Sequence, residues 1–417
     1  MAKSARKRRA PRRITAVAIS ESLQNAGSWC GITNLPSELL DLIIQLVGDE
    51  DLLSLAVLCK RLNSLAIRLY FSRMGMQNSF LYIFSFQPLT PFHALKGVRL
   101  SLQHQTFRSI NCSFSSNFIA EMREVQRTLE KISTLNTLVL NFGYTHVNLT
   151  SRQSSTSLSL LLDALQGKSC NTLNILVSGS TFFPPISARL LTDLEAVSLH
   201  STSPLFCNWI SQSLNASKIT KLYISDDGET NTPTSLASLQ LPSLNDFYIS
   251  SIKIAATDLI TFLARHASIS SLYIDLQKPH LPRKSQPCLL PRMVNLTSTP
   301  DMITYWLSYP ETVPEIRTIR LLTAQWGFRM YGCLAKKVNF RSLREVLSLI
   351  AKRNNIQSLS LTLEACPEMN RLLQLGKNLL STNALSITLP ISRLAKRQTS
   401  YILFLRGSSY SRIWKFW

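Results

Sequence analysis

A six-residue pattern, apolar-x-x-apolar-x-apolar, recurs ten times between residues 95 and 389 and limits what this chain can fold into. Its copies read LKGVRL from Leu95, LNTLVL from Leu135, CNTLNI from Cys170, LEAVSL from Leu194, ITKLYI from Ile219, LNDFYI from Leu244, ISSLYI from Ile269, IRTIRL from Ile316, IQSLSL from Ile356 and ALSITL from Ala384. The starts at 194, 219, 244 and 269 are 25 residues apart, enough chain for one short strand and one returning segment. Alternate residues of a strand face opposite ways. Leu222 with Ile224, Phe247 with Ile249 and Leu272 with Ile274 are therefore expected in a common core, while Tyr223, Tyr248 and Tyr273 point out. One such unit cannot bury its own apolar face, so the units must stack.

Between the copies run helix-like stretches at 118–132, 158–165, 257–265, 343–352 and 369–380. Strand, turn and helix repeated side by side predict an α/β domain with a parallel sheet. Over residues 95–390 the pattern resembles the leucine-rich repeat. That resemblance implies an irregular curved solenoid whose strands line a concave, partner-binding face. Tyr223, Tyr248 and Tyr273 would then be target contacts about 5 Å apart, the strand spacing. The pattern departs from the family at the ninth repeat position, where Asn or Cys is usual and this chain has Gly143, Thr202, Asp227, Ile252 and Gln277. Spacings also widen to 40, 35, 47 and 40 residues, so units carry insertions or a copy has escaped the pattern. The widest gap, 278–315, runs from Pro279 to Pro314 through five further prolines; a loop with one short helix near 302–307 is expected.

Ahead of the repeats lies NLPSELLDLIIQLVGDEDLLSLAVLCKRLNSLAIRLYF, residues 34–71, in which 22 of the last 37 residues are apolar. No apolar run reaches the ~18 residues of a membrane span, and the spacing is helical. Pro36 and Glu38 suit a first helical turn. Leu39, Ile43 and Leu46 form one stripe, and Leu40, Ile44 and Val47 a second; both call for burial. A second helix is expected at about 51–58 after Gly48, and a third with Leu62, Leu65, Ala66 and Leu69 on one face. About forty residues cannot bury so wide an apolar surface internally, so the block must dock on something.

The order Leu35-Pro36-x-Glu38-Leu39-Leu40-x-x-Ile43, then Asp51-Leu52-Leu53-x-Leu55, then Val57-Leu58-Cys59-Lys60-Arg61-Leu62 resembles the F-box. The resemblance implies three helices that dock on a Skp-type adaptor and, through it, a cullin. Leu35, Pro36, Leu39, Ile43, Leu52, Leu53, Val57, Cys59 and Lys60 would form the contact. Leu58 departs from the usual Val or Ser before Cys but keeps the apolar character. The plain alternative is a helical subdomain covering the domain that follows.

The formal charge is +21, of which Lys3, Arg6, Lys7, Arg8, Arg9, Arg12 and Arg13 supply seven before the first acid at Glu21, leaving +14 for residues 14–417. Arg6, Lys7, Arg8, Arg9, Arg12 and Arg13 read as a nuclear localisation signal; an electrostatic arm for nucleic acid, a mitochondrial presequence and a solvated tail are the alternatives. The charge of the body is dispersed and lacks the aromatic interleaving of an RNA-recognition surface, so a nucleic-acid partner is not expected. Eight scattered cysteines with no C-x-x-C pair fit a reducing compartment, nucleus or cytosol, and small buried hydrophobes.

Catalytic motifs are absent. Gly167-Lys168-Ser169 imitates the end of a phosphate loop, but Leu162 replaces the required earlier glycine. Histidines 93, 104, 146, 200, 266 and 280 form no metal spacing, and no G-x-S-x-G elbow occurs. No cofactor, metal or membrane is expected. The domain reading is a basic arm at 1–33, the F-box at 34–73, a linker at 74–94, the repeat array at 95–390 and a basic aromatic tail at 391–417. The function implied is a non-catalytic substrate receptor of a ubiquitin ligase with an unidentified protein target. A non-ubiquitylating scaffold and a basic nucleic-acid-associated repeat protein are the alternatives.

Overall fold

The computed structural model describes residues 32, 35–74, 80–84, 91–102, 106–115, 117–142, 151–177, 186–200, 208–225, 236–250, 254–276, 287–322, 340–362, 384–390, 400–405 and 413–415. The basic residues 3–13 of the arm lie outside them, as do the ninth repeat positions and the helix expected at 369–380. The chain divides into two compact units, Met1–Tyr70 and Phe71–Trp417.

Helices α1 (Ser37–Gln45), α2 (Asp49–Ala56) and α3 (Lys60–Arg73) follow one another from the first unit. Pro36 is the N-cap of α1, where a missing amide costs nothing, and its carbonyl accepts from Leu40 N at 3.1 Å. Gly48 caps α2, so Asp49, Glu50 and Asp51 all fall in the first turn against the positive end of the helix dipole, two residues earlier than the spacing suggested. Cys59 opens α3: its sulfur accepts from Leu62 N at 3.5 Å and its carbonyl from Asn63 N at 2.9 Å. The buried Asn63 amide donates back to Ala56 O at 2.8 Å, closing the end of α2. Arg61 donates to Ser37 Oγ at 3.0 Å, and Arg68 meets Asp41 at 3.4 Å, which orients α1 against α3. The latter pair is exposed and contributes at most about 1 kcal/mol.

Among the described residues the second unit is built on one sheet whose fourteen strands lie in chain order. They are β1 (Phe80–Phe84), β2 (Thr106–Ser113), β3 (Thr134–Asn141), β4 (Thr172–Leu176), β5 (Ala196–His200), β6 (Lys221–Ser225), β7 (Asp246–Ser250), β8 (Ser271–Asp275), β9 (Asn295–Ser298), β10 (Thr318–Leu322), β11 (Ser358–Thr362), β12 (Ala384–Pro390), β13 (Ser400–Leu405) and β14 (Ile413–Lys415). Neighbours from β1 to β12 pair parallel, whereas β12–β13 and β13–β14 are antiparallel. Intervening helices are α4 (Pro91–Leu100), α5 (Phe118–Lys131), α6 (Arg152–Asp163), α7 (Asn208–Ala216), α8 (Ala256–Arg265), α9 (Pro300–Leu307) and α10 (Phe340–Ala351).

Successive units are tied by a stepping set of backbone bonds. Thr220 N donates to Glu195 O, Asn245 N to Thr220 O, Ser270 N to Asn245 O and Val294 N to Ser270 O, at 2.8, 2.9, 2.9 and 2.8 Å. Each bond fixes the entry of one strand from the unit before it. Inside, Leu222, Phe247 and Leu272 stand in one buried row and Ile224, Ile249 and Ile274 in another.

Several elements differ from the sequence reading. LKGVRL is helical, within α4: its buried Leu95 and Val98 are three apart, a spacing that serves one face of a helix as well as a strand template. The strand expected there is instead β2, where Phe107, Ile110 and Cys112 repeat the same template. Strand β9 fills the 47-residue gap; its third apolar position is Ser298, fully buried with its hydroxyl on Ile274 O at 2.6 Å. Strand β1 falls in the stretch expected as a linker, and β13 and β14 in the stretch expected as a tail.

Long polar side chains satisfy backbone groups of the connectors, both in the non-helical stretch 236–241 and at the end of α9. Arg265 donates to Leu236 O and Ala237 O at 3.1 and 2.8 Å, and Arg353 to Leu307 O at 3.1 Å. The Asn215 amide accepts from Gln240 N at 2.8 Å and donates to Ser238 O at 2.9 Å. Buried His266 is the most constrained of these. Its Nε2 accepts from Leu241 N at 2.9 Å, so the ring proton sits on Nδ1 and is donated to Phe262 O at 2.6 Å. Burial foremost, and the neighbouring Arg265 cation, hold its pKa below the ordinary 6.5. A charged ring would turn Nε2 into a donor facing a donor.

The sign of the pH effect follows. The folded state prefers neutral His266, so its contribution is complete above the unfolded value of about 6.5 and is lost as pH falls towards the folded value, by up to about 1.4 kcal/mol per pH unit. Urea unfolding between pH 7.5 and 5 should show this fall in the wild type and a shallower one in His266→Gln. Equal slopes would show that another group carries the acid sensitivity.

Candidate functional site

On α1 the second apolar stripe is inside: Leu40 and Ile44 are 0% and 2% exposed. The first is not. Leu39, Leu42, Ile43 and Leu46 are 47%, 59%, 39% and 88% exposed, and at 0, 3, 4 and 7 along a helix they share one face. Just past α2, Val57 and Leu58 are 62% and 65% exposed. Burying a leucine is worth about 1.5–3 kcal/mol, so an exposed apolar strip of this density marks a surface that meets a partner.

The residues expected at the adaptor contact therefore separate into groups. Leu39, Ile43 and Val57 are exposed with Pro36 and Lys60, and Leu35 and Cys59 are half-buried. Leu52 and Leu53 are buried, 0% and 3% exposed; their side chains serve the interior and have no surface to offer. Leu42, Leu46 and Leu58 were not among the expected contacts, although Leu46 was read in the same stripe as Leu39 and Ile43. The first two extend the Leu39–Ile43 face and were legible as i+3 and i+7 neighbours.

The outward face of the sheet is the second candidate. Tyr223, Tyr248 and Tyr273 are in register on β6, β7 and β8. Ring centroids are 5.7 Å apart for the first pair, tilted by 36°, and 3.9 Å for the second, stacked at 14°. Tyr248 and Tyr273 share a hydrogen bond; burial first, and then that bond, push the Tyr273 phenol well above its usual range, so it stays protonated. Next to the ladder, His200 lies between two hydroxyls, with Ser198 Oγ 2.8 Å from Nε2 and Ser225 Oγ 2.6 Å from Nδ1. Both ring nitrogens are occupied by serines, and burial lowers the pKa of the imidazole. Around His200 and the ladder the groups are thus neutral hydroxyls, an imidazole and phenols.

The phosphate-loop imitation has a structural task. Gly167 takes a φ of 69° in the turn after α6, and Lys168 Nζ donates to Ile132 O at 2.6 Å. Burial holds the Cys112 thiol far above its ordinary pKa and pushes Cys170 to about 11, so both are thiols at neutral pH, not nucleophilic thiolates. Among the described residues no three His, Cys, Asp or Glu side chains gather as a metal site, and no helix is long and apolar enough to cross a membrane.

The exposed apolar face of α1 belongs to a three-helix unit that is followed by an α/β unit with a mainly parallel sheet. Residues 32–73 match the F-box domain, and the exposed α1 face lies within that match. An F-box implies binding to a Skp-type adaptor of a cullin-containing ubiquitin ligase, in which F-box proteins are generally non-catalytic subunits. No curated protein matches the chain.

Proposed function

We propose that this protein is a substrate receptor of a Skp-cullin-F-box ubiquitin ligase, with a leucine-rich-repeat type array that presents the target. The observation that carries the reading is the apolar face of Leu39, Leu42, Ile43 and Leu46, exposed inside the segment that matches the F-box. Chain-ordered parallel strands with units 25 residues apart support the repeat assignment. Tyr223, Tyr248 and Tyr273 are the target contacts in this reading, because a row of phenols offers large, rigid area with a polar tip.

Affinity purification under proteasome and neddylation inhibition tests it, comparing the intact chain, a deletion of residues 34–71 and the triple Tyr→Ser variant at 223, 248 and 273. The intact chain should recover adaptor, cullin and a ubiquitylated companion. The deletion should lose adaptor and cullin, and the triple variant only the companion, with its melting temperature within a few degrees of the wild type. Adaptor recovery without any ubiquitylated companion would favour a scaffold; a large drop in melting temperature would make the ladder structural.

A further inference from the structure

We infer that the sheet face takes an extended segment of its target that carries one acidic residue, its carboxylate seated on Arg320; this rests on the reading of that face as the target contact. The tyrosine row continues in register through Thr297 on β9 to Arg320 on β10. Arg320 is exposed and has no hydrogen bond or ion pair among the described residues. Within the row from Tyr223 to Arg320 it is the one charged side chain; Lys221, four strands away, is held by Asp246 at 3.6 Å, and buried Asp275 acts with Arg320 on the Tyr273 phenol.

Geometry adds to charge. One face of the Tyr273 ring is covered by Tyr248, and the other looks along the row towards Arg320 over the short Thr297. Two strand spacings, about 9.5 Å, separate the β8 and β10 backbones, which leaves room for one side chain above Thr297. Its register neighbours on the adjoining strands, Thr297 and Ser360, are neutral, as are Asn295 and Thr318 one step along. A single cation with neutral hydrogen-bonding neighbours matches a carboxylate, which guanidinium binds in bidentate fashion. A phosphate dianion would leave excess charge with no second cation in the row. From Tyr223 to Arg320 is four spacings, about 19 Å, which an extended chain covers in roughly six residues. The acid therefore belongs at one end of a six-residue stretch, with neutral residues over the phenols.

A library of immobilised random hexapeptides, probed with the full chain bound to its adaptor, tests this. The wild type should enrich Asp or Glu at one terminal position about tenfold. Arg320→Glu, a change at an exposed side chain, should enrich Lys or Arg there instead. The triple Tyr→Ser variant at 223, 248 and 273 should enrich nothing. Enrichment that depends on the tyrosines but shows no acid preference, or that is the same in Arg320→Glu, overturns the carboxylate assignment and leaves the target face standing. Selection by the triple variant equal to wild type, or no selection by the wild type, overturns both.

Discussion

Leu42→Asp combined with Leu46→Asn should remove adaptor binding from a chain that remains folded. Both side chains are exposed, 59% and 88%, so the interior does not notice their loss. In a docked complex each leucine would lose about 1.5–3 kcal/mol of burial, and the aspartate would add a desolvation cost, so affinity should fall at least about a hundredfold. Titration of purified adaptor against the variant measures this directly. Leu40→Asp, one step round the same helix at 0% exposure, should instead unfold the unit. Normal adaptor affinity in the double variant would remove α1 from the docking surface.

Phe247→Ala should be among the most damaging single truncations in the sheet unit. Its ring is 2% exposed and packs on Phe262 of α8 with centroids 4.9 Å apart, so truncation should cost about 3–5 kcal/mol. The next residue on the same strand, Tyr248, is on the other face, and Tyr248→Ser should cost well under half as much. Because stacked units contact only their neighbours, the loss should be local. Hydrogen exchange of residues 219–225, 244–250 and 269–275 should accelerate before the rest of the sheet. Equal destabilisation by the two substitutions would show that the two faces of β7 are packed alike, against the alternation of burial along it.

Part of this was legible because it depends on local periodicity. The four units that start at 194, 219, 244 and 269 place β5, β6, β7 and β8 at the end of the same six residues, and the tyrosine row follows from alternation along a strand. Helices α5, α8 and α10 begin within about three residues of where their apolar spacing suggested. LKGVRL misled because apolar residues three apart satisfy a helix face as readily as this template. Strand β9 escaped because a serine replaces an aliphatic residue, and only a neighbouring strand's carbonyl makes that serine admissible in the core.

The docking face was legible only in composition. Residues 35–71 carry two apolar stripes on their first helix, and the sequence by itself determined that they exceed what three short helices can bury. Which stripe goes inside was decided by tertiary structure. Leu40 and Ile44 are buried with Leu52 and Leu53, which leaves Leu39, Leu42, Ile43 and Leu46 for a partner. The same holds for His266 and Arg320. Nothing local says that one is locked neutral beneath Leu241, 25 residues earlier, or that the other continues a row begun at Tyr223, because both facts arise when distant units are stacked in register. Periodicity sets the side of the chain on which a residue lies; only the stacking of one unit on the next sets what stands opposite it.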